Sequence, residues 1–519
     1  MPYRIQKFVF EKSNISLDWE NQAKEWDYFV VPVFEKPKSE SNDKSEIFSS
    51  SFLEKLNGIY KIFEVFSKEE FQGKYGSSFL FPSAKETSIL FVGLGTIKEI
   101  LYNPEHKISR AILKALQTIK KKKISKMGFD FESIKEFYKT FEISFHLRSL
   151  LTNILIAFEE YTYHSLEAKE ISKEIEELKI FLDEDIPEEI QRFSLSVLRA
   201  RANTKDLVNM PSNTKTTLTL VEKAKSLNNH QLKIDIIDDV EWIKTNMPCF
   251  YMVAKGSLAS DPPKWIRVEY TPKTEIKHRI ALLGKSIIFD TGGYQVKPDN
   301  YMNTMKADMT GGASVLSIIE EVANLQIPYL KITAYCPVTA NKIDSDAMLP
   351  DSIVTSHSGK RVEIRHTDAE GRLTLIDAIS IAEKEENDIF IIIATLTGSA
   401  ARAVGPRIAL MSTRRDKRKD FEQALEEIGE PYQSLEIEDD DYEDIKSKLD
   451  GADINNIGNE KYRGAQTAAS FIFSGLSSRE KVCFHLDIAG GDVDKEEKAT
   501  GIAIKGVLNY LWNLAQSSH

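Results

Sequence analysis

Residues 284–312 read GKSIIFDTGGYQVKPDNYMNTMKADMTGG, a segment that combines an apolar run with paired glycines and acidic residues. An apolar run in it ends at Asp290, which is followed at once by Gly292 and Gly293. Further along, residues 366–375 read HTDAEGRLTL, and Asp368 there follows the apolar run 362–364. In open α/β sheets, ligands bind at the carboxyl ends of the strands. The two stretches therefore predict an acidic site at the edge of a sheet.

Strands and helices alternate around these stretches. Short β-branched runs at 282–289, 330–335 and 389–395 predict strands, and apolar spacing at 313–325 and 373–384 predicts helices between them. This alternation is typical of a doubly wound α/β fold with a mixed or parallel sheet flanked by helices. We expect two domains: a smaller N-terminal α/β domain at 1–165 and a catalytic domain at 190–519. The highly charged segment 166–189 is interpreted as a partly helical connector.

Composition limits the partners and the compartment. The 519 residues carry a net charge of −11, which argues against binding to nucleic acid or to an anionic membrane. The longest apolar stretch, 389–396, is too short to cross a bilayer, and the first residues lack the apolar core of a signal peptide. Three widely spaced cysteines, Cys249, Cys336 and Cys483, disfavour a disulfide framework and a thiolate zinc site. A cytoplasmic protein is expected.

Four carboxylates lie in the two stretches: Asp290, Asp308, Asp368 and Glu370. Each alone could be a helix cap or a turn residue. Placed together at strand ends they favour two divalent cations, because two such ions would neutralise their four charges. Oxygen-rich ligands with few histidines suit Mg²⁺, Mn²⁺ or a carboxylate-tolerant Zn²⁺ site. A hydroxide can bridge two metal ions that lie ~3.5–4 Å apart, and it can then attack a carbonyl or phosphoryl group.

Three cationic residues are interleaved with the carboxylates. Lys285 could join the metal ligands as a free amine, since burial and adjacent cations lower the pKa of a lysine. Lys297 and Arg372 could stabilise an oxyanion that develops during the reaction.

Three motifs of this chain resemble the signature of the leucyl aminopeptidase family (peptidase family M17): GKSIIFDTGGYQVKP, MKADMTGG and HTDAEGRL. Members of that family are cytosolic exopeptidases with two zinc ions. Similar segments are DLVNMPSN at 206–213, IIIATLTGSA at 391–400, ADINNIG at 452–458 and HLDIAG at 485–490. The resemblance spans residues 200–510. It implies hydrolysis of peptides at a free N-terminal amine, with leucine and other apolar first residues preferred, and a homohexamer.

The resemblance also implies roles for individual residues. The implied metal ligands are Lys285, Asp290, Asp308, Asp368 and Glu370, and Asp290 and Glu370 would bridge two ions, Zn²⁺ or Mn²⁺, with Mg²⁺ and Co²⁺ as further candidates. Lys297 would polarise the scissile carbonyl, and Arg372 would hold a bicarbonate ion as general base. The pocket for the first side chain would be lined by Met305, Thr395, Gly398 and Ala489.

Two positions depart from the family pattern. His366 stands where asparagine is usual, and Ser286 stands where glycine is usual. We interpret His366 as a replacement for the hydrogen bonds of the amide, with an extra metal ligand or proton carrier as the alternative. Neither change removes an implied metal ligand.

Two other functions remain open on the sequence. A two-metal phosphoesterase would use the same oxygen-rich site. A DNA-binding or architectural assembly would need a local basic groove, which the net negative charge disfavours.

Overall fold

The computed structural model describes residues 5–12, 26–35, 50–60, 62–69, 71–82, 87–100, 104–121, 123–140, 142, 146–163, 174–182, 185–227 and 229–518. The chain divides into two compact units. The first is Met1–Leu198 with Glu427–Gly429, and the second is Arg199–Glu426 with Glu430–His519. Both units are built from helices and strands, which confirms the expected α/β class with two domains.

The first unit contains a six-stranded sheet. Its strands are β1 (Ile5–Lys12), β2 (Tyr28–Phe34), β3 (Ser78–Pro82), β4 (Ser88–Gly95), β5 (Lys123–Asp130) and β6 (Glu174–Leu182). Their order in the sheet is β1-β6-β5-β2-β4-β3, and all neighbouring strands are parallel except the pair β3 and β4. Its helices are α1 (Ser51–Tyr60), α2 (Ile62–Lys68), α3 (Ile97–Ile100), α4 (Pro104–Leu116), α5 (Glu132–Thr140) and α6 (Leu147–Thr162), and α7 (Glu188–Asn209) begins in this unit.

The charged segment 166–189 differs from the expected partly helical connector. Its residues 174–182 form strand β6, which lies between β1 and β5 in the sheet. Five apolar residues of this strand are buried: Ile175, Leu178, Ile180, Phe181 and Leu182. The glutamates among them, Glu174, Glu176 and Glu177, are only partly buried. The abundance of charge hid a strand whose buried residues follow no strict alternation. Residues 164–173, 183 and 184 lie outside the described residues.

The second unit contains a larger mixed sheet and a separate three-stranded sheet. The strands are β7 (Leu232–Ile237), β8 (Lys264–Tyr270), β9 (His278–Gly284), β10 (Ser286–Asp290), β11 (Leu330–Asn341), β12 (Ser352–Thr355), β13 (Arg361–Ile364), β14 (Ile389–Ala394), β15 (Ile408–Ser412), β16 (Tyr432–Ser434), β17 (Ile454–Asn455) and β18 (Val482–Asp487). The order of the larger sheet is β16-β15-β18-β14-β9-β11-β8-β7, and β10 pairs with β11 beside this path. The order of the three-stranded sheet is β12-β13-β17.

Ten further helices of the described residues belong to this unit: α8 (Thr217–Lys225), α9 (Val240–Asn246), α10 (Pro248–Ala254), α11 (Thr310–Leu325), α12 (Glu370–Lys384), α13 (Gly398–Val404), α14 (Arg415–Glu427), α15 (Asp439–Asp444), α16 (Gly464–Phe473) and α17 (Ile504–Ser517). Leu375 and Ile379 of α12 are buried in one core cluster with Leu283 and Phe390 of the sheet. None of the described helices combines the length and the apolar character that a bilayer crossing requires.

The predicted strand 282–289 is interrupted at Lys285, which separates β9 from β10. A Cβ atom on Gly284 would stand 2.5 Å from the carbonyl oxygen of Gly311, so helix α11 packs against the bare backbone there. The backbone of Lys285 bonds to both sides of the break: its N–H donates to Ile393 (3.1 Å) and its carbonyl accepts from Gly312 (2.8 Å). The interruption places the Lys285 side chain at the carboxyl edge of the sheet.

Candidate metal centre and active site

Three buried carboxylates converge at the carboxyl edge of the large sheet. Asp290 ends β10, Asp308 follows the short 3-10 helix Met305–Ala307, and Glu370 begins α12. One oxygen atom from each lies within 4.8 Å of the other two. All three side chains are at most 5% exposed. The sequence predicted this convergence, because strand ends and helix starts meet at one edge of an α/β sheet.

Lys285 lies among these carboxylates. Its Nζ is 2.6 Å from Asp308 Oδ1 and 2.9 Å from Glu370 Oε1, and it donates to the carbonyl oxygen of Thr395 at 3.0 Å. Burial alone would lower the pKa of Lys285, but Asp308, Glu370 and Asp290 outweigh it and hold the pKa above its ordinary value. The side chain needs the bare backbone of Gly371, whose added Cβ would stand 2.4 Å from Lys285 Cε.

A second lysine joins the cluster to its fourth carboxylate. Lys297 Nζ lies 2.7 Å from Asp290 Oδ2 and 2.5 Å from Asp368 Oδ1. Asp290 is fixed in turn by hydrogen bonds from the backbone N–H of Gly292 (2.9 Å) and from Asn341 Nδ2 (2.8 Å). Gly292 has a φ of +88°, which favours glycine and turns the chain back so that Lys297 can reach Asp290.

The carboxylates differ in their electrostatic surroundings. Burial, the largest influence, together with the charges of Glu370 and Asp290, raises the pKa of Asp368 to about 7. Burial also opposes ionisation of Glu370, but Lys285 and Lys297 outweigh it and lower the pKa of Glu370 to about 2. The pKa of Asp308 is raised, mainly by burial. The two lysine charges offset only part of the negative charge of four carboxylates.

The donor set fits divalent cations. Two buried oxygens, Asp308 Oδ2 and Glu370 Oε2, accept no hydrogen bond from the described part of the chain. An unpaired buried carboxylate oxygen is costly unless it has a cationic partner. Hard or borderline cations such as Mg²⁺, Mn²⁺ and Zn²⁺ accept carboxylate oxygen ligands. The free oxygens therefore point to positive charge between these two side chains.

Arg372 lies in the first turn of α12 and is also buried. Burial lowers its pKa to about 10, and the carboxylates of Glu370 and Asp487 oppose this effect. Its Nε has no hydrogen-bond partner in the described residues. Both ring nitrogens of His485 likewise lack a hydrogen-bond partner in the described residues. Burial, and to a smaller extent the charge of Arg372, lowers the pKa of that imidazole to about 3. A buried guanidinium with an unused donor can hold an anion.

The two departures from the family pattern take structural positions. His366 Nδ1 accepts a hydrogen bond from the backbone N–H of Asp368 at 3.2 Å, which agrees with its interpretation as a replacement for an amide. Ser286 Oγ donates to the carbonyl oxygen of Gly284 at 2.8 Å, across the break between β9 and β10.

The four expected pocket residues lie on three loops at the same edge. Thr395 follows β14, and its Oγ1 donates to Asp308 Oδ1 at 2.9 Å. Met305 begins the 3-10 helix that leads to Asp308, Gly398 begins α13, and Ala489 follows β18. The structure thus brings Thr395 into direct contact with the carboxylate cluster. The other three are placed on its neighbouring loops.

Two asparagines that sequence reasoning did not single out hold the cluster in place. Besides Asp290, Asn341 Nδ2 bonds to the carbonyl oxygen of Thr367 at 3.1 Å. Asn456 is fully buried: its Oδ1 accepts from the backbone N–H groups of Arg365 (2.8 Å) and His366 (3.2 Å), and its Nδ2 donates to the His366 carbonyl (2.7 Å). The motif ADINNIG contains Asn456, but nothing in the spacing shows that it binds the loop of Asp368.

Comparisons with known proteins agree with this arrangement. Residues 202–508 match the catalytic domain of the cytosol aminopeptidase family, and residues 30–151 match the N-terminal domain of that family. A probable cytosol aminopeptidase of Clostridium perfringens is 33% identical over 487 residues, covering 91% of this chain and 92% of the relative. One from Aquifex aeolicus is 30% identical over 462 residues, covering 86% and 90%.

Solved structures share the fold. A mutant of tomato leucine aminopeptidase superposes with a TM-score of 0.79 at 22% identity, covering 98% of this chain and 97% of the other. The bottromycin maturation enzyme BotP gives a TM-score of 0.75 at 21% identity, covering 94% and 99%. The chain belongs to the cytosol aminopeptidase family, which confirms the resemblance found in its sequence. Membership makes it a hydrolase that acts on peptides at the N-terminus.

Proposed function

We propose that this protein is a metal-dependent aminopeptidase that releases leucine and other apolar residues from peptide N-termini. The observation that carries the proposal is the buried group of Asp290, Asp308 and Glu370, with two carboxylate oxygens that have no donor in the described residues. The proposed metal ligands are these three with Asp368 and Lys285. The structural neighbour BotP has been solved in complex with Mn, and we infer Mn²⁺ or Zn²⁺ for this site.

Two divalent ions bound there would supply Lewis acidity and lower the pKa of a water molecule to make a nucleophile at neutral pH. Lys285 would complete the ligand set only after losing the proton that the surrounding carboxylates favour in the metal-free site, and bound cations would lower its pKa by repulsion. Lys297 reaches both Asp290 and Asp368. It keeps its proton, because Asp290, with Glu370, Asp308 and Asp368, outweighs burial and holds the pKa of Lys297 above its ordinary value. Its N–H groups can donate to the oxygen of the scissile carbonyl and stabilise the charge that develops there.

Arg372 would orient an anionic general base such as bicarbonate beside the reacting carbonyl. Its unused Nε donor and its burial support this role. The pocket for the first side chain would be formed by Met305, Thr395, Gly398 and Ala489, on the loops that surround the cluster.

The free N-terminal amine of the substrate decides between an exopeptidase and other hydrolases. We expect hydrolysis of leucine p-nitroanilide and no measurable hydrolysis of its N-acetylated form, because an acetylated amine can no longer bind a metal. A phosphate ester, assayed in parallel under the same metal conditions, serves as the control for a two-metal phosphoesterase. Equal turnover of the acetylated anilide, or turnover of the phosphate ester alone, would contradict the proposal.

We also infer that the protein is cytoplasmic and assembles with copies of itself, with a homohexamer as the proposed state. Three free, buried cysteines support a reducing compartment. Large apolar side chains are exposed on loops after β10 and β11 and around the small sheet: Tyr294, Val296, Tyr301, Ile343, Leu349, Ile353, Leu449, Ile457 and Tyr462. A contiguous patch of exposed apolar side chains marks an interaction site, and we propose that these residues form one in the assembly. Sedimentation equilibrium tests the assembly, and a monomer at micromolar concentration would contradict it.

We propose that catalysis is confined to 190–519 and that the N-terminal domain extends past the expected limit at 165, because strand β6 lies between β1 and β5 in its sheet. Expression of 190–519 alone, followed by circular dichroism, tests whether that part folds independently.

A further inference from the structure

Asp487 is a fully buried carboxylate at the carboxyl end of β18, and its side chain accepts hydrogen bonds from two different loops. Its Oδ1 accepts from the backbone N–H groups of Leu396 (3.1 Å), Thr397 (3.4 Å) and Ala489 (3.2 Å). Its Oδ2 accepts from Thr397 Oγ1 at 2.8 Å. No lysine or arginine forms an ion pair with it in the described residues, so backbone donors and one hydroxyl satisfy this carboxylate.

The large sheet joins the two loops at their starts. Strands β14 and β18 are parallel neighbours, and their pairing ends with Ala394 opposite Asp487. One more backbone bond follows, from the N–H of Ile488 to the carbonyl of Ala394 at 2.9 Å. Beyond this bond, the segment after β14 leads into α13, and the segment after β18 enters the turn at 488–492. The Asp487 side chain bonds to both segments just past this point.

These are the loops that carry three of the four proposed pocket residues. Thr395 and Gly398 flank the two residues that donate to Asp487 on the first loop, and Ala489 itself donates on the second. Thr397 also caps α13, because its Oγ1 accepts from the N–H of Ala400 at 2.9 Å. The position of Gly398 at the start of that helix therefore depends on the same hydrogen-bonded group.

We propose that Asp487 is a positioning residue that fixes the spacing between the two loops and thereby sets which first side chain the substrate pocket accepts. The inference rests on the proposed aminopeptidase function. Asp487 acts through the backbone of Leu396, Thr397 and Ala489, and not by direct contact with substrate or metal.

An asparagine at this position would break the arrangement without changing its size. An amide keeps one acceptor oxygen, and its N–H₂ group would face N–H and O–H donors, so at least one buried donor would lose its partner. The loops would then move apart to hydrate or reorient these groups. A pocket with less defined walls discriminates less between side chains that differ by a few methylene groups.

The test is the steady-state kinetics of D487N on p-nitroanilides of leucine, methionine, phenylalanine and alanine. We expect the preference for the best apolar first residue over alanine to fall about tenfold, through a higher KM for the larger residues, with kcat changed far less. Metal content should equal that of the wild type. An unchanged preference in a folded variant would overturn the proposal.

Arg372 provides the competing explanation, because its charge also interacts with Asp487. If D487N acted through Arg372, kcat would fall for all four substrates by the same factor with KM and preference unchanged. That result would overturn the proposal, as would a loss of bound metal.

A matched control is available in the same domain. Asp377 is also a fully buried carboxylate that accepts backbone N–H groups, from Cys249 (2.7 Å), Phe250 (3.1 Å) and His357 (2.8 Å). We expect D377N to lower thermal stability and leave the substrate preference unchanged. A similar loss of preference in both variants would mean that general destabilisation is responsible, and would contradict a specific role for Asp487.

Two milder variants cover the case in which D487N does not fold. T397V removes one donor to Asp487 and should lower the preference in the same direction, whereas T397S keeps the hydroxyl and should retain the wild-type preference. A preference that is unchanged in T397V would overturn the proposal.

Hydrogen exchange separates this inference from the proposed function. If the wild type hydrolyses none of the anilides, the proposed function fails, but the link between loops can still be measured. The N–H groups of Leu396, Thr397 and Ala489 should then exchange faster in T397V than in T397S, in the peptides from both loops together. Faster exchange in the first loop alone would overturn the link itself.

Discussion

Replacing Glu370 by glutamine is expected to abolish both metal loading and peptide hydrolysis. The buried Glu370 contacts Lys285 through one oxygen and leaves its second oxygen without a donor in the described residues. An amide at this position cannot bridge two cations, and its N–H₂ group would face Lys285 or the metal. Because bound metal supplies several kcal/mol of charge stabilisation, kcat/KM should fall about a thousandfold or more. Elemental analysis and hydrolysis of leucine p-nitroanilide measure the two effects.

The matched control is E363Q. Glu363 is buried in β13 of the same unit and accepts a hydrogen bond from Ser447 Oγ, but it belongs to no carboxylate cluster in the described residues. This variant should keep its metal and its activity. If E370Q kept near-normal turnover, or if E363Q lost its metal to the same degree, the assignment of the metal site would be wrong.

Replacing Lys297 by methionine should lower kcat while leaving the metals bound. Methionine keeps an unbranched chain of similar length and removes the charge that would stabilise the developing oxyanion. Loss of one such donor typically costs about a hundredfold to a thousandfold in kcat. The metals should remain because Lys297 repels cations, and because Asp290 and Asp368 lose only a cationic neighbour.

K223M is a suitable comparison for this variant. Lys223 pairs with Glu320 at 2.5 Å, and the side chains of Lys223 and Lys297 are equally exposed, at 13%. Its loss should change stability slightly and leave kcat unchanged. A K297M enzyme that had lost its metals would place Lys297 among the determinants of metal binding and not of the chemical step. Unchanged kcat in K297M would refute any role in charge stabilisation.

The sequence alone predicted the α/β class and the convergence of the carboxylates, because both depend on local patterns. Asp290 and Glu370 lie where a strand ends and a helix begins, and such positions meet at one edge of the sheet. The family resemblance was equally local, since contiguous motifs carry it. The same reasoning placed Lys285 among the carboxylates, and the structure puts its Nζ within 3 Å of two of them.

Other features could not be predicted because they depend on contacts between distant residues. The strand 174–182 was hidden by its three glutamates and by the absence of a strict alternation, and only pairing with β1 and β5 reveals it. The break at Lys285 follows from the close packing of Gly284 against Gly311. Asn341 and Asn456 hold the loops of the site through hydrogen bonds that span 26 to 91 positions in sequence, and no local pattern indicates such bonds.

The most direct measurement strips the protein of metal with a chelator and follows the hydrolysis of leucine p-nitroanilide as Mn²⁺ or Zn²⁺ is added back. Bound metal per chain is counted at each point by native mass spectrometry. We expect no activity in the stripped protein and complete recovery at about two ions per chain. Full activity in a stripped protein that holds no metal would contradict this expectation.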